Sequence, residues 1–141
     1  MSTATEDSVT FRAAAARDAE QAVPLIYSSG PSAFDYVFSH DRPGQALDFL
    51  RFAFTDGAGE FGFRNHEVAL ADGRVVGVGA AWDGRVALRF TLAAAAQILR
   101  FYGPLRACGV IVRGLRVEQV IRPPRADEYY VAHLGVRDEL R

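Results

Sequence analysis

The sequence contains no lysine; all 16 of its cationic side chains are arginines. No side chain here can form a Schiff base or become acetylated on an ε-amine. The arginine bias, alongside abundant alanine, also reads simply as coding bias. Cysteine is reduced to Cys108, which excludes an intramolecular disulfide and suits a reducing compartment. No apolar run approaches the ~20 residues of a membrane-spanning helix. The start, Met1 to Asp7, is polar and acidic and is not a signal peptide. A cytoplasmic protein without membrane contact is the expectation. The net charge is −1 with no basic block, which argues against non-specific nucleic-acid binding. The three histidines show no metal-ligand spacing.

What is present is a globular composition. Half of the 141 residues are hydrophobic, enough to build one domain with a real core, with disorder expected only at the first few residues. Val9 to Ala13 alternates and predicts a first strand. Asp18 and Gln21 have capping-box spacing, which predicts a helix running to about Tyr27, with Pro24 kinking it or marking its true start. Ser28-Ser29-Gly30-Pro31 is a break, and Pro31 to Phe38 predicts a short helix. Asp41, with Pro43 just inside, predicts another ending near Phe54, with Ala46, Leu47, Leu50 and Phe54 on one face.

Asp72-Gly73 between His66–Ala71 and Arg74–Trp82 predicts a β-hairpin with a two-residue turn. Val76, Val78, Ala80 and Trp82 share one face. Gly77 and Gly79 share the other, where another backbone or helix can approach closely. Two helical segments, Val86 to Tyr102 and Pro104 to Ile121, are separated by Gly103-Pro104 and end at Pro123-Pro124. Leu88, Leu92, Ala95, Leu99 and Tyr102 keep helical spacing on the first. Leu105, Cys108, Val112 and Leu115 keep it on the second, where Cys108 is expected to be a buried, unreactive thiol. Glu128 to Val136 predicts a last strand, rich in β-formers and expected to be central. The fold class is α+β, a mixed, mainly antiparallel sheet with flanking helices and a helical insertion between the third and fourth strands. One domain spans 1–141.

The closing segment Tyr129-Tyr130-Val131-Ala132-His133-Leu134-Gly135-Val136-Arg137-Asp138-Glu139-Leu140-Arg141 resembles the fourth strand of the GNAT N-acetyltransferase superfamily, and the element order resembles that fold's N-terminal half. The resemblance implies acetyl transfer from acetyl-CoA, as co-substrate, to a small-molecule or peptide amine by direct attack. It implies that Leu134, Gly135 and Val136 bind the pantetheine arm, and that Arg141 opens a glycine-rich pyrophosphate loop at a helix N-terminus. The glycines of that loop do not follow. Each missing amide donor removes roughly 1.5–3 kcal/mol of charge-assisted hydrogen bonding. The expectation is therefore a truncated or weakly active form. It is either a fragment of a longer acetyltransferase or a homodimer that covers the apolar edge of the last strand.

Candidate site residues follow, each with a structural alternative. His133 on the last strand is a general base or a hydrogen-bonded core histidine. Glu67 is a base or amine-binding carboxylate, or a solvated strand start together with Asn65 and His66. Tyr27, Ser29, Phe34 and Tyr36 line an acceptor pocket, or are helix caps and core aromatics. The rival reading for the whole chain is a non-catalytic interaction or dimerisation module, favoured if the helical insertion leaves an apolar face bare.

Overall fold

The computed structural model describes residues 8–141; the polar start Met1 to Asp7, expected to be disordered, lies outside the described residues. Strand β1 (Thr10–Ala13) leads through a short 3-10 turn into helix α1 (Ala19–Ser28). Asp18 does not cap α1 as its spacing predicts. Its carboxylate takes both guanidinium nitrogens of Arg12, at 2.7 and 2.9 Å, and the amide of Ala15 at 2.8 Å. A bidentate arginine outcompetes a lone amide for a carboxylate, so the capping role is lost. Gln21 is diverted too, its Oε1 accepting the Val75 amide at 2.9 Å. Pro24 lies inside α1 without starting or ending it. The carbonyl it orphans belongs to Glu20, on the exposed side of the helix.

Helix α2 (Pro31–Phe38) has the predicted bounds. Helix α3 (Gln45–Asp56) begins later than the Asp41 signal suggests. Gln45 Oε1 accepts the amides of both His40 and Asp41 at 2.8 Å, and Gly44 takes φ +81, so the preceding residues form a turn rather than a helical first turn. Ala46, Phe49, Leu50, Ala53 and Phe54 form the fully buried face of α3.

Strands β2 (His66–Ala71) and β3 (Arg74–Asp83) form the predicted hairpin, with Asp72 and Gly73 at φ 51 and 72, as a primed turn requires. The pairing slips between Ala69 and Leu70. That slip brings Val75 into the main core alongside Val78, while Val76, though buried, joins no core cluster. Helices α4 (Ala87–Tyr102) and α5 (Pro104–Val120) follow as the expected helical hairpin, with Gly103 at φ 79 between them.

Strand β4 (Tyr129–Val136) completes an antiparallel sheet of order β1-β2-β3-β4. It was expected to be central. Among the described residues it is an edge strand, with Tyr129, Val131, Leu134 and Val136 at 76, 59, 63 and 42 % exposure. Its β-rich composition reflects one packed face and close fit to β3, not two strand neighbours. Helix α1 packs on β3 and β4. Gly135 makes that possible, because a Cβ there would stand 2.2 Å from the Leu25 carbonyl oxygen.

The helical hairpin leaves much of its regularly spaced apolar stripe bare. Leu88, Leu92, Leu99, Leu105 and Val112 face outward, at 71, 61, 48, 92 and 47 % exposure, while Leu115, at 53 %, lines a cavity beneath the hairpin. Cys108 is exposed, not buried. The buried stripe of α4 is Phe90, Gln97, Ile98 and Tyr102, and that of α5 is Ala107 and Val110. Small alanines let the helices approach closely on that side, which displaces the leucines to the other.

Candidate active site

The register of β3 and β4 passes from Ala80↔Ala132 to Val78↔Gly135, so His133 and Leu134 together oppose Gly79. This is a β-bulge on β4. His133 holds φ 56, in the left-handed region. A non-glycine residue there stores strain, and such strain concentrates at functional positions. Gly79 lets Leu134 fold close over the bulge, since a Cβ there would lie 2.9 Å from Leu134 Cδ2.

The bulge aims His133 into an aromatic box. Its ring lies 5.6 Å from Phe61, 6.0 Å from Phe34 and 5.8 Å from Trp82. Behind it stands His66, 2 % exposed, with its Nδ1 2.7 Å from the Gly62 carbonyl and its Nε2 3.1 Å from His133 Nδ1. A carbonyl only accepts, so His66 carries its proton on Nδ1 and its Nε2 is an acceptor. His133 Nδ1–H must then donate to it, which leaves the Nε2 lone pair of His133 free. Burial lowers the pKa of both rings, and their mutual repulsion adds to it at His133, which falls to about 3. Both are neutral at physiological pH.

His133 opens onto a cavity of about 580 Å³. Its floor is the bulged strand β4, one wall is α2 with the Glu60–Phe61 loop, and the roof is the α4–α5 hairpin. Glu60 faces the cavity from a loop shaped by glycine. Gly59 holds φ +71 against α4, where a Cβ would come within 2.9 Å of Ala93 Cβ, and a Cβ on Gly62 would meet the Gly57 carbonyl carbon at 2.1 Å. Buried Gln97 fastens the loop to α4, its Nε2 donating to Asp56 at 3.0 Å and to the Ala58 carbonyl at 2.9 Å. Asn65 donates to the Glu60 carbonyl at 3.4 Å. Desolvation, helped by the negative charge of Glu118, raises Glu60 to about 7. Glu118 itself is exposed at the rim.

Of the residues singled out by sequence, the structure brings Ser29, Phe34, His133 and Leu134 to the cavity. His66 supports His133 from behind, and Asn65 supports the Glu60 loop. Tyr27 stacks on Phe34 at 6.4 Å and donates to Asp35 at 2.7 Å, outside the lining. Tyr36 is 45 % exposed and Glu67 is exposed beside Gly79 and Ala13, and neither lines the cavity. Val136 sits at the open edge of β4, its carbonyl accepting from Arg141 Nε at 2.9 Å. The Arg137 amide donates to Val76 at 2.9 Å, so by antiparallel alternation the backbone groups of Val136 point away from β3. Gly135 is closed in by α1.

Sequence reasoning missed Glu60, Phe61, Trp82, Phe90 and Tyr130. The only local signal for Glu60 is its position between Gly57, Gly59 and Gly62. Among the described residues no group of three or more His, Cys, Asp or Glu could hold a metal ion. No helix there is long and apolar enough to cross a membrane.

No family model and no curated protein matches the sequence. Solved structures do match its fold. An N-acetyltransferase from Staphylococcus aureus Mu50 superposes with a TM-score of 0.67 at 17 % identity, over 94 % of this chain and 67 % of that one. A structure described as an acetyltransferase also gives 0.67, at 13 % identity, over 94 % of this chain and 65 % of that one. The chain has the GNAT fold, and it spans about two thirds of the length of these structures.

Proposed function

We propose that this chain forms the acceptor side of an acetyl-CoA-dependent N-acetyltransferase acting on an amine. One observation carries the reading. A desolvated carboxylate poised near neutrality, Glu60, and a neutral imidazole with a free Nε2, His133, face the same cavity. An amine arrives in water as an ammonium ion and has no lone pair to attack with. Glu60 with a pKa near 7 takes its proton at working pH, which is where a general base is most effective. His133 Nε2 accepts a hydrogen bond from the neutral amine and orients its lone pair. The apolar walls exclude water that would compete as nucleophile.

Acetyl-CoA, when bound, supplies the activated acetyl group as a thioester. The residues present fit its pantetheine arm. Leu134 and Val136 lie on an unpaired strand edge, where an extended chain adds by strand-like hydrogen bonding. Arg141 Nε now occupies the Val136 carbonyl and must yield it. The reading assigns the protein to the cytoplasm, where exposed Cys108 stays reduced.

The test is incubation with acetyl-CoA and a panel of amines, with product read by mass. A thiol reagent is unsuitable because exposed Cys108 would react with it. Glu60→Gln is expected to lower kcat/KM by ~10²-fold or more. Absence of any acetylated amine, together with absence of acetyl-CoA binding by calorimetry, overturns the proposal. It would favour instead a non-catalytic assembly module, a reading that the bare Leu stripes of α4 and α5 support.

A further inference from the structure

The charged side chains at the cavity are Glu60, Glu118 and Arg122; His133 and Tyr130 are the remaining titratable groups. Arg122 pairs with Glu128, 3.6 Å away and outside the lining, so within the lining two carboxylates face one arginine that already has a partner. Among the described residues no hydrogen bond or ion pair reaches the Glu60 carboxylate, and only desolvation and Glu118 act on it. An unpartnered carboxylate in a desolvated wall asks for a cation. Around it the walls are aromatic. Trp82 lies 5.5 Å from Phe90 and 5.3 Å from Tyr130, and with Phe34 and Phe61 these rings surround most of the space. Neutral hydrogen-bonding side chains for a second polar end are few: Ser29, Thr91, Tyr130 and the free Nε2 of His133.

We propose that the cavity selects an ammonium cation joined to a bulky apolar or aromatic body that carries no carboxylate, with the cation on Glu60 and the body among Phe34, Phe61, Trp82 and Phe90. Each part of the ligand follows from one part of the wall. The ammonium neutralises Glu60. The apolar body fills a volume suited to a small organic molecule. A carboxylate on the ligand meets Glu118 at the mouth and Glu60 within, and the one cation of the lining, Arg122, is already paired with Glu128. A second ammonium finds only the solvent-exposed Glu118 at the mouth, and rings elsewhere. This deepens the acetyl-transfer reading by naming its acceptor class, but the binding it asserts does not depend on transfer.

Trp82 is the only tryptophan in the sequence, so its fluorescence reports on this cavity alone. The experiment titrates the protein with 2-phenylethylamine, phenylalanine, 2-phenylethanol and 1,4-diaminobutane. The expected result is a saturable change with 2-phenylethylamine and binding at least ~10-fold weaker for the other three, the loss of one charge-assisted contact. Glu60→Gln is expected to weaken 2-phenylethylamine ~10-fold or more while leaving 2-phenylethanol unchanged, which also verifies that the variant is folded. If Glu60→Gln does not fold, Glu118→Gln is expected to narrow the gap between phenylalanine and 2-phenylethylamine. Equal binding of phenylalanine, tighter binding of 1,4-diaminobutane, or no Trp82 response to any ligand overturns the inference. Binding of 2-phenylethylamine with no acetylation of any amine and no acetyl-CoA binding sinks the transfer reading and leaves this one standing. Acetylation of diamines in preference does the reverse.

Discussion

His66 Nε2 lies 3.1 Å from His133 Nδ1, and the two rings are within 12° of parallel. The pair sets a tautomer. The Gly62 carbonyl fixes the proton of His66 on Nδ1, His66 then accepts from His133, and the Nε2 of His133 is left to face the cavity. His66 is thus a positioning residue. His66→Leu removes the acceptor and strands a buried N–H, which is expected to cost about 1–3 kcal/mol of stability. It is also expected to lower kcat for amine acetylation ~10-fold or more, with little change in KM. His66→Gln, which can present an acceptor oxygen, is expected to recover part of kcat. A merely structural role would lower stability but leave the kcat-to-KM pattern and the rescue unmoved.

Glu60 makes stability depend on pH. Its pKa rises from the ordinary 4.5 to about 7 on folding, so the folded state holds the proton more tightly between those values. The stability this contributes is present below pH ~4.5 and is lost as pH rises through about 7. Above that the desolvated, unpaired carboxylate opposes folding. Glu60→Gln removes the opposition, so the variant is expected to be more stable than the parent at pH 8, by on the order of 1–3 kcal/mol, and about equal at pH 4.5. Urea unfolding at the two pH values measures it. Equal stability at pH 8 would mean that Glu60 is not desolvated as described.

The histidine pair acts in the opposite sense. His133 falls from 6.5 to about 3 on folding, so the unfolded chain binds the proton first as pH drops. The stability from keeping it neutral is present above ~6.5 and erodes as pH falls toward 3. In the parent this erosion overlaps the gain from protonating Glu60. In Glu60→Gln it stands alone, and a loss of about 2 kcal/mol between pH 6.5 and 5 is expected from His133. A flat profile across that range in Glu60→Gln would place His133 in water rather than in the aromatic box.

The parts of the fold read correctly from sequence are those whose cause is local. Asp72-Gly73 needs only the backbone freedom of its own residues, and the helical bounds near Gly103-Pro104 follow from those two residues alone. The misreadings are cases where a distant group wins. Asp18 goes to Arg12 rather than to its helix, and Gln21 goes to Val75. Helical spacing on α4 and α5 marks an apolar stripe but not which stripe is buried. The alanines and Gln97 decide that by how near the helices come. At the site, His133 was legible because the closing strand resembles a known one. Its left-handed φ and its partner His66 were not, since both arise from pairing with β3. Glu60 was invisible because its desolvation comes from elements far along the chain.

The outward stripes of the helical hairpin make the last prediction. Leu88, Leu92 and Leu105 are 71, 61 and 92 % exposed, and Leu115 is 53 % exposed. Apolar side chains so arranged along two adjacent helices invite association. The exposed residues of β4 offer a second surface, an unpaired edge suited to a partner strand. The two routes to a homodimer are separable. Leu92→Glu with Leu105→Glu places charge on the hairpin without touching the cavity, whose lining includes neither residue. Val131→Lys places charge on the edge strand at a residue that also lines the cavity, so only the oligomeric state is read from it. Light scattering is expected to show a dimer for the parent and a monomer for Val131→Lys, if the strand edge is the contact, with the hairpin variant unchanged. A monomer for the hairpin variant alone would move the contact to the helices. A monomeric parent at all concentrations would remove the homodimer expectation, and the apolar surfaces would then need another partner.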